Sequence, residues 1–321
     1  MWEAGVDAQQ LDAVCVGETM ALLVPDGDSR DGAPLLRAEI GGAESNVAVH
    51  LARAGHRAAW LGAVGDDAFG RLVRDRLTAS GVRCLARTDP ERPTGLYTKE
   101  PGPGGVRARY WRRGSAASAL GPETAAEVRR LRPRIVHTTG ITAALSDTCL
   151  ALVGDLLSAP SDGTLRSFDV NYRPALHGDH NADTLLGLAR RCDIVFCGTD
   201  EAASLWGTSG PGELAGLLHG PDLLVLKQGA EGAMAVRHDR SWFQPAPRVS
   251  VVDPVGAGDA FAAGFLGRLL EGAAVPDCLA QGARTAGRVL GITGDAPAPE
   301  PGYAAAWETG HRPGRDPRGR D

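Results

Sequence analysis

The sequence predicts a three-layer α/β/α fold, and three observations carry the prediction. Short apolar runs recur along the chain, each followed by a Gly or acidic turn and then a helical pattern. Two segments break that rhythm with polar and apolar alternation, and late in the chain a glycine loop opens a strongly apolar helix. Strands buried on both faces read as near-continuous apolar runs, and their alternation with helices gives a parallel sheet covered on both sides.

In chain order, buried strands are expected at 13–16, 58–64, 134–138, 166–170, 194–197 and 223–226. Helices are expected at 45–54, 69–80, 183–191, 200–206 and 259–271. The two irregular segments, 21–40 and 94–113, read as antiparallel strands outside the main sheet. Ligands of open α/β sheets bind at the carboxyl ends of the strands, so a small extra sheet there is expected to act as a lid. Residues 11–296 are thus expected to form one domain with its lid. Residues 297–321 are rich in Pro, Gly, Arg and Asp and read as a disordered tail. No internal repeat is visible.

A chain of 321 residues with 43% hydrophobic content holds ample material for a packed core. Its net charge of −5 is modest and its basic residues are scattered. That excludes a nucleic-acid footprint and a polybasic membrane patch, and leaves small molecules as expected partners. Only two lysines occur, Lys99 and Lys227, so arginine carries nearly all the positive charge. The six cysteines form no C-x-x-C pair and read as buried thiols. The N-terminal residues lack a basic region followed by an apolar run, and no stretch approaches the roughly 18 apolar residues of a membrane span. A cytoplasmic location is expected.

The most informative segment runs from Val249 to Leu266. A β-type run leads through Asp253-Pro254-Val255-Gly256-Ala257-Gly258-Asp259 into an apolar helix. Backbone N–H groups of Gly256, Ala257 and Gly258 lack intrahelical partners and sit at the positive end of a helix dipole, which makes an anion site. A P-loop needs Gly-Lys-Ser/Thr, and neither lysine is so placed. A Rossmann loop wants a small residue where Phe261 stands and an acid about 20 residues on, and 279–281 contains none. Asp259 therefore reads either as an N-cap or as the base that takes a proton from an acceptor hydroxyl during phosphoryl transfer. The dipole is expected to keep it ionised.

The segment Asp253 to Asp259 resembles the C-terminal signature of PfkB-type carbohydrate kinases. A second match lies far upstream in Gly41-Gly42-Ala43-Glu44-Ser45-Asn46, followed by Gly55, Gly65-Asp66 and Gly70. Two motifs in the right order, with likeness over roughly 14–294, identify the chain as a member of that family. The resemblance implies a ribokinase-like fold with a β-sheet lid, ATP and Mg²⁺ as cosubstrate and cofactor, and Asp259 as catalytic base beside Gly256, Ala257 and Gly258. The family's Asn-x-x-Glu element maps to Gly198-Thr199-Asp200-Glu201, with Gly replacing Asn; Glu201 would order Mg²⁺-bound water. Lys227, Gly229 and Gly232 resemble its nucleotide loop, though such a sequence also serves as an ordinary hairpin turn. Asn171, Gly198 and Gln281 complete the implied nucleotide contacts, and Asp253 is the implied neighbour of K⁺.

Within the family, several stretches are similar to 2-keto-3-deoxygluconate kinases. They are Gly17-Glu18, Glu44, Gly95-Leu96-Tyr97, Arg109-Tyr110-Trp111-Arg112, the run 140–146, and Asp169-Val170-Asn171-Tyr172-Arg173. The similarity implies 6-phosphorylation of a sugar acid. Planar Arg forks and Tyr hydroxyls suit its carboxylate, and Arg112, Arg173, Tyr97 and Tyr110 would supply them, with Gly41, Gly42 and Asn46 on its hydroxyls. Arg112 also reads as part of a solvated, arginine-rich strand face, and Glu18 as structural. His177 and His180 have a metal-like spacing but read as a polar loop. The alternatives are another sugar kinase of the family, of fructokinase or ribokinase type, and a non-catalytic effector-binding protein. An exposed lid edge makes a homodimer a natural partner arrangement.

Overall fold

The computed structural model describes residues 10–27, 35–102, 105–158, 163–177 and 181–291. In chain order the strands are β1 (Ala13–Val16), β2 (Met20–Pro25), β3 (Leu36–Gly41), β4 (Ala58–Gly65), β5 (Arg83–Asp89), β6 (Leu96–Gly102), β7 (Gly105–Trp111), β8 (Ile135–Thr139), β9 (Leu165–Asp169), β10 (Ile194–Gly198), β11 (Leu223–Lys227), β12 (Gly232–Arg237) and β13 (Arg240–Pro245). The helices are α1 (Ala43–Arg53), α2 (Ala68–Ala79), α3 (Pro122–Leu131), α4 (Gly140–Ala143), α5 (Asp147–Ser158), α6 (Pro174–His177), α7 (Ala182–Ala189), α8 (Thr199–Trp206), α9 (Pro211–Leu217), α10 (Ala257–Leu270) and α11 (Val275–Leu290).

The main sheet runs β13-β12-β11-β10-β9-β8-β1-β4-β5. From β5 to β11 every pairing is parallel, and the β11-β12-β13 extension is antiparallel. The central strands β1, β4 and β10 are buried along their whole length, which is why they read as unbroken apolar runs. All six expected strands are present. Strands β5, β12 and β13 were not expected: β5 and β13 are the sheet's edges, where polar residues mix with apolar ones because an edge strand has fewer neighbours to bury it, and β12 between β11 and β13 is only partly buried.

Three layers follow from where the core lies. One apolar cluster joins α1, α2, α10 and α11 to the sheet through Val47, Val73, Phe265 and Leu279, among others. On the opposite face α5, α7, α8 and α9 pack through Leu157, Leu185, Ala202 and Leu214, and α3 and α5 through Val128 and Leu152. All six cysteines are free thiols. No helix among the described residues is long and apolar enough to cross a membrane.

The two irregular segments form the separate lid sheet, in the order β3-β2-β6-β7. Each hairpin is antiparallel, but β2 and β6 pair in parallel, so the lid is not antiparallel throughout as its sequence suggested. The β-type run Val249 to Val252 is not a strand. It has no neighbouring strand to pair with, and Val252 N–H instead reaches Leu290 O on α11 at 2.7 Å. The expected tail, 297–321, lies outside the described residues, as do 178–180 of the polar loop.

Candidate active site

A cavity of about 960 Å³ opens between the lid and the carboxyl ends of the central strands. Its size suits a nucleotide together with a small second molecule. At one end the lid supplies Tyr97, Tyr110 and Arg112, and Arg173 enters from the sheet side within reach of Glu201. Gly41, Gly42 and Asn46 line the middle, where α1 begins. The far end is built from Asn171, Gly198, Glu201 and Lys227, from Gly229 and Gly232 in the β11-β12 turn, and from the Gly256–Asp259 loop.

The glycine loop takes its shape from Gly256, which caps α10 at φ 82°, a left-handed conformation that only glycine adopts at little cost. Ala260 is the first residue to bond back, to Gly256 O at 2.9 Å. Ala257 N–H has only a long contact to Pro254 O, 3.4 Å. The helix start is thus left with N–H groups available to an anion. Lys227 Nζ lies close by, 3.5 Å from where a Gly258 Cβ would stand. Lys227 is held by both oxygens of Asp169, at 2.9 and 2.6 Å. Burial opposes its charge, but Asp169 and Glu201 more than offset this and raise its pKa, so it stays an ammonium.

Asp259 is the third residue of α10, not its N-cap. Asn46 Nδ2 donates to its Oδ2 at 2.8 Å. The expectation of an ordinary ionised carboxylate is corrected: burial, reinforced by the charge of Asp169, pushes Asp259 up to about 7. The Asn46 hydrogen bond, Lys227 and Arg173 pull the other way. Desolvation at the cavity floor therefore outweighs the hydrogen bond and the two cations, and the result is a base poised near neutrality. Beside Asn46, Gly42 is required by close approach, since a Cβ there would strike the Glu18 carbonyl.

Arg112 lies at the cavity wall and not on a solvated strand face. Its Nε donates to Glu18 Oε2 at 2.7 Å, its Nη2 pairs with the same oxygen, and Ser115 Oγ donates to Glu18 Oε1. The Arg112 guanidinium rests 5.7 Å over the Tyr110 ring, which stacks on Tyr97 at 5.4 Å. Glu18 thus fixes one edge of the guanidinium. Glu44, by contrast, lies outside the cavity; burial raises its pKa and the Thr139 and Thr142 hydroxyls donate to its Oε1.

Arg173 is half exposed to the cavity and its Nη1 stands 3.5 Å from Glu201 Oε1. His177 is not a residue of a solvated loop. It is buried, with Nε2 on Gly140 O at 3.0 Å and Nδ1 accepting the Arg173 N–H at 3.1 Å. Burial lowers its pKa, so the neutral imidazole is the form that holds the Arg173 turn. Glu201 caps α8 by accepting the Gly198 N–H at 3.1 Å. Burial raises its pKa, and Lys227 works against that.

Two expected residues fall outside the cavity. Gln281 has both ends engaged along α11, with Nε2 on Thr285 and Oε1 accepting from Arg284, and α11 faces the cavity instead with Ala283, Ala286, Gly287 and Leu290. Those four positions share one helix face, a period that the glycines obscured. Asp253 is buried against Lys99 of the lid, at 2.6 Å, and its Oδ1 accepts the Val255 N–H at 3.0 Å. The Lys99 ammonium already supplies the counter-charge that a monovalent cation would bring to Asp253, and it stands on the oxygen such an ion would need. Asp169, Lys99, His177 and the role of Glu18 were not found from the sequence; Asp169, Lys99 and Glu18 act through partners distant in the chain, and His177 through Arg173 four residues before it, which no local motif records.

Among the described residues, no group of three or more His, Cys, Asp or Glu side chains is arranged to hold a metal ion. Asp169 is taken by Lys227, and Glu201 keeps one oxygen on Gly198. That donor set fits a divalent ion only of the kind that keeps most of its water and takes its other ligands from phosphates, as Mg²⁺ does.

The pfkB family carbohydrate kinases match residues 10–301. A 2-dehydro-3-deoxygluconokinase of Thermoproteus tenax is 35% identical over 271 residues, covering 80% of this chain and 81% of that protein. A 2-dehydro-3-deoxygalactonokinase of Haloferax volcanii is 34% identical, covering 88% and 92%. The crystal structure of a PfkB protein from Polaromonas sp. JS666 superposes with a TM-score of 0.79 at 33% identity, covering 93% of this chain and 99% of that one.

Proposed function

The chain belongs to the pfkB family of carbohydrate kinases, and from that premise we propose that it phosphorylates the 6-hydroxyl of 2-keto-3-deoxygluconate, using ATP and Mg²⁺. The observation that carries the reading is a single cavity with Asp259 between a cationic, aromatic end and a glycine-lined anion site. Arg112 and Arg173 take the acid end of the sugar, Tyr97 and Tyr110 pack along it, and Gly41, Gly42 and Asn46 hold its hydroxyls. The nucleotide lies across Gly229, Gly232 and the α11 face, with Asn171, Gly198 and Lys227 around its phosphates.

The acceptor oxygen attacks the γ-phosphorus in line, the bond to the β,γ-bridging oxygen breaks, and ADP leaves. Asp259 accepts the hydroxyl proton as the new P–O bond forms. The α10 N–H groups and the Lys227 ammonium face the negative charge of the transferring group. Glu201 would hold Mg²⁺ through water, and the ion would neutralise charge on the phosphates.

The test is ADP release with MgATP across 2-keto-3-deoxygluconate, 2-keto-3-deoxygalactonate, fructose, ribose and adenosine. Turnover confined to the keto-deoxy acids supports the reading. Turnover with fructose or ribose alone would keep the kinase and remove the assignment of the arginines. Silence throughout would turn the assignment toward effector binding.

The six free thiols fit a reducing cytoplasm. The edge strands of the lid expose Leu36 and Trp111, and we assign that face to a second copy of the chain; light scattering that gives a monomer at micromolar concentration would reject it.

A further inference from the structure

We propose that Lys99 is a built-in cation of the phosphate-binding loop, filling the place beside Asp253 that a monovalent metal ion would need, so that the loop is organised without potassium and through the lid. The inference deepens the kinase reading and rests on it for its catalytic consequence.

Lys99 reaches from β6 of the lid to Asp253, and the two side chains are 5% and 4% exposed. A carboxylate so deeply buried requires a counter-charge. Asp253 Oδ2 takes the ammonium at 2.6 Å while Oδ1 accepts the Val255 N–H at 3.0 Å, which fixes the turn entering Gly256. Asp253 thus links the lid to the helix start that faces the transferring phosphoryl group.

The choice of lysine is informative in itself. The chain has 34 basic residues and only two are lysines. Lys227 sits on Asp169 and Lys99 on Asp253, so both lysines are paired with aspartates near the glycine loop, Lys99 fully buried and Lys227 partly so. A compact ammonium is a point charge much like an alkali ion, which the broad planar guanidinium of arginine is not. An ion at this position comes and goes with the medium. A tethered ammonium arrives only with the strand that carries it, so charge balance at the loop depends on the lid being seated.

Lys99 is therefore a positioning residue, acting through Asp253. The test compares the full-length protein with Lys99→Met in potassium, ammonium and tetramethylammonium chloride at equal ionic strength, following ADP release and the melting midpoint without substrates. The wild type should vary less than twofold in turnover among the salts, with a common midpoint. Lys99→Met should lose at least tenfold in kcat in tetramethylammonium and recover much of it in potassium or ammonium. Its midpoint should rise in those two salts, because an ion bound only by the folded state stabilises it. Should Lys99→Met not fold, the double variant Lys99→Met/Asp253→Asn removes both charges, and its midpoint should show no salt preference. A wild type that requires potassium, or a Lys99→Met protein as active as wild type in every salt, overturns the proposal. Absence of turnover by the wild type with every acceptor would fail the kinase reading, while the midpoints still decide this one.

Discussion

Asn46 Nδ2 donates to Asp259 Oδ2 at 2.8 Å, tying the start of α1 to the start of α10 across the cavity floor. The bond leaves the other carboxylate oxygen for the acceptor hydroxyl and fixes where it points. Asp259→Asn keeps the shape and removes the proton acceptor. ADP release should fall by about 10²- to 10⁴-fold in kcat, the usual contribution of a positioned base, with KM for MgATP changed by less than threefold. Turnover retained within a factor of five would remove Asp259 from the mechanism.

The pH profile follows from the same pair. Burial pushes Asp259 up to about 7, and only the ionised form accepts a proton, so kcat/KM should rise with pH and level off above a midpoint near 7. The Asn46 hydrogen bond favours the ionised form. Asn46→Ala should therefore move the midpoint to higher pH as well as weaken acceptor binding. A profile flat from pH 5.5 to 8, or a shift to lower pH in Asn46→Ala, contradicts the assignment.

The parts of this site that were legible in the sequence are those made by contiguous residues. The loop Gly256 to Asp259 shapes itself through the αL geometry of Gly256, and the central strands β1, β4 and β10 declare themselves because burial on both faces leaves no polar side chain in them. What was not legible depends on distance in the chain. The raised pKa of Asp259 comes from burial and from the charge of Asp169 on β9, against the pull of Asn46 on α1 and Lys227 on β11, neighbours that no local motif records. Lys99 looks like one more surface charge in a lid strand until its partner, 154 residues away, is placed beside it. The run Val249 to Val252 misled for the opposite reason: its β-type composition is genuine, but exposed valines on a cavity rim carry the same pattern as a strand.

Glu18 holds Arg112 by two of its nitrogens, and its second oxygen is held by Ser115. Without Glu18 the guanidinium would be free to leave the position in which it meets a carboxylate. Glu18→Gln should raise KM for the sugar acid about tenfold, equivalent to about 1.4 kcal/mol, with little change in KM for MgATP. Arg112→Ala should do at least as much. Turnover of a sugar lacking the carboxylate should be the control that neither variant impairs further, and an equal loss with it would show that Glu18 serves folding alone.

His177 fixes the Arg173 turn by using both ring nitrogens. His177→Phe keeps the volume and removes both bonds, so Arg173 should lose its register over the cavity. KM for the sugar acid should rise several-fold while the acid limb of kcat/KM stays at its wild-type midpoint, since that limb belongs to Asp259. If instead His177→Phe moved the midpoint, His177 would be part of the titrating unit and not a support for Arg173.

The raised pKa of Asp259 also has a consequence for stability, and its sign is definite. In the unfolded chain an aspartate titrates near 3.9, and in the folded protein at about 7, so between those values the folded state binds more protons. Stability contributed at this position is then lost as pH rises from about 4 through about 7, because folding must desolvate a charge that the unfolded chain carries freely. Asp259→Asn has no charge to desolvate and keeps an oxygen for the Asn46 N–H. Its melting midpoint should match wild type near pH 4 and exceed it by a few degrees at pH 8, the gap opening between those limits. Calorimetry of both proteins at four pH values measures that gap directly. A gap that is constant with pH would mean that Asp259 titrates normally in the fold, and the neutral-pH base would have to be another group.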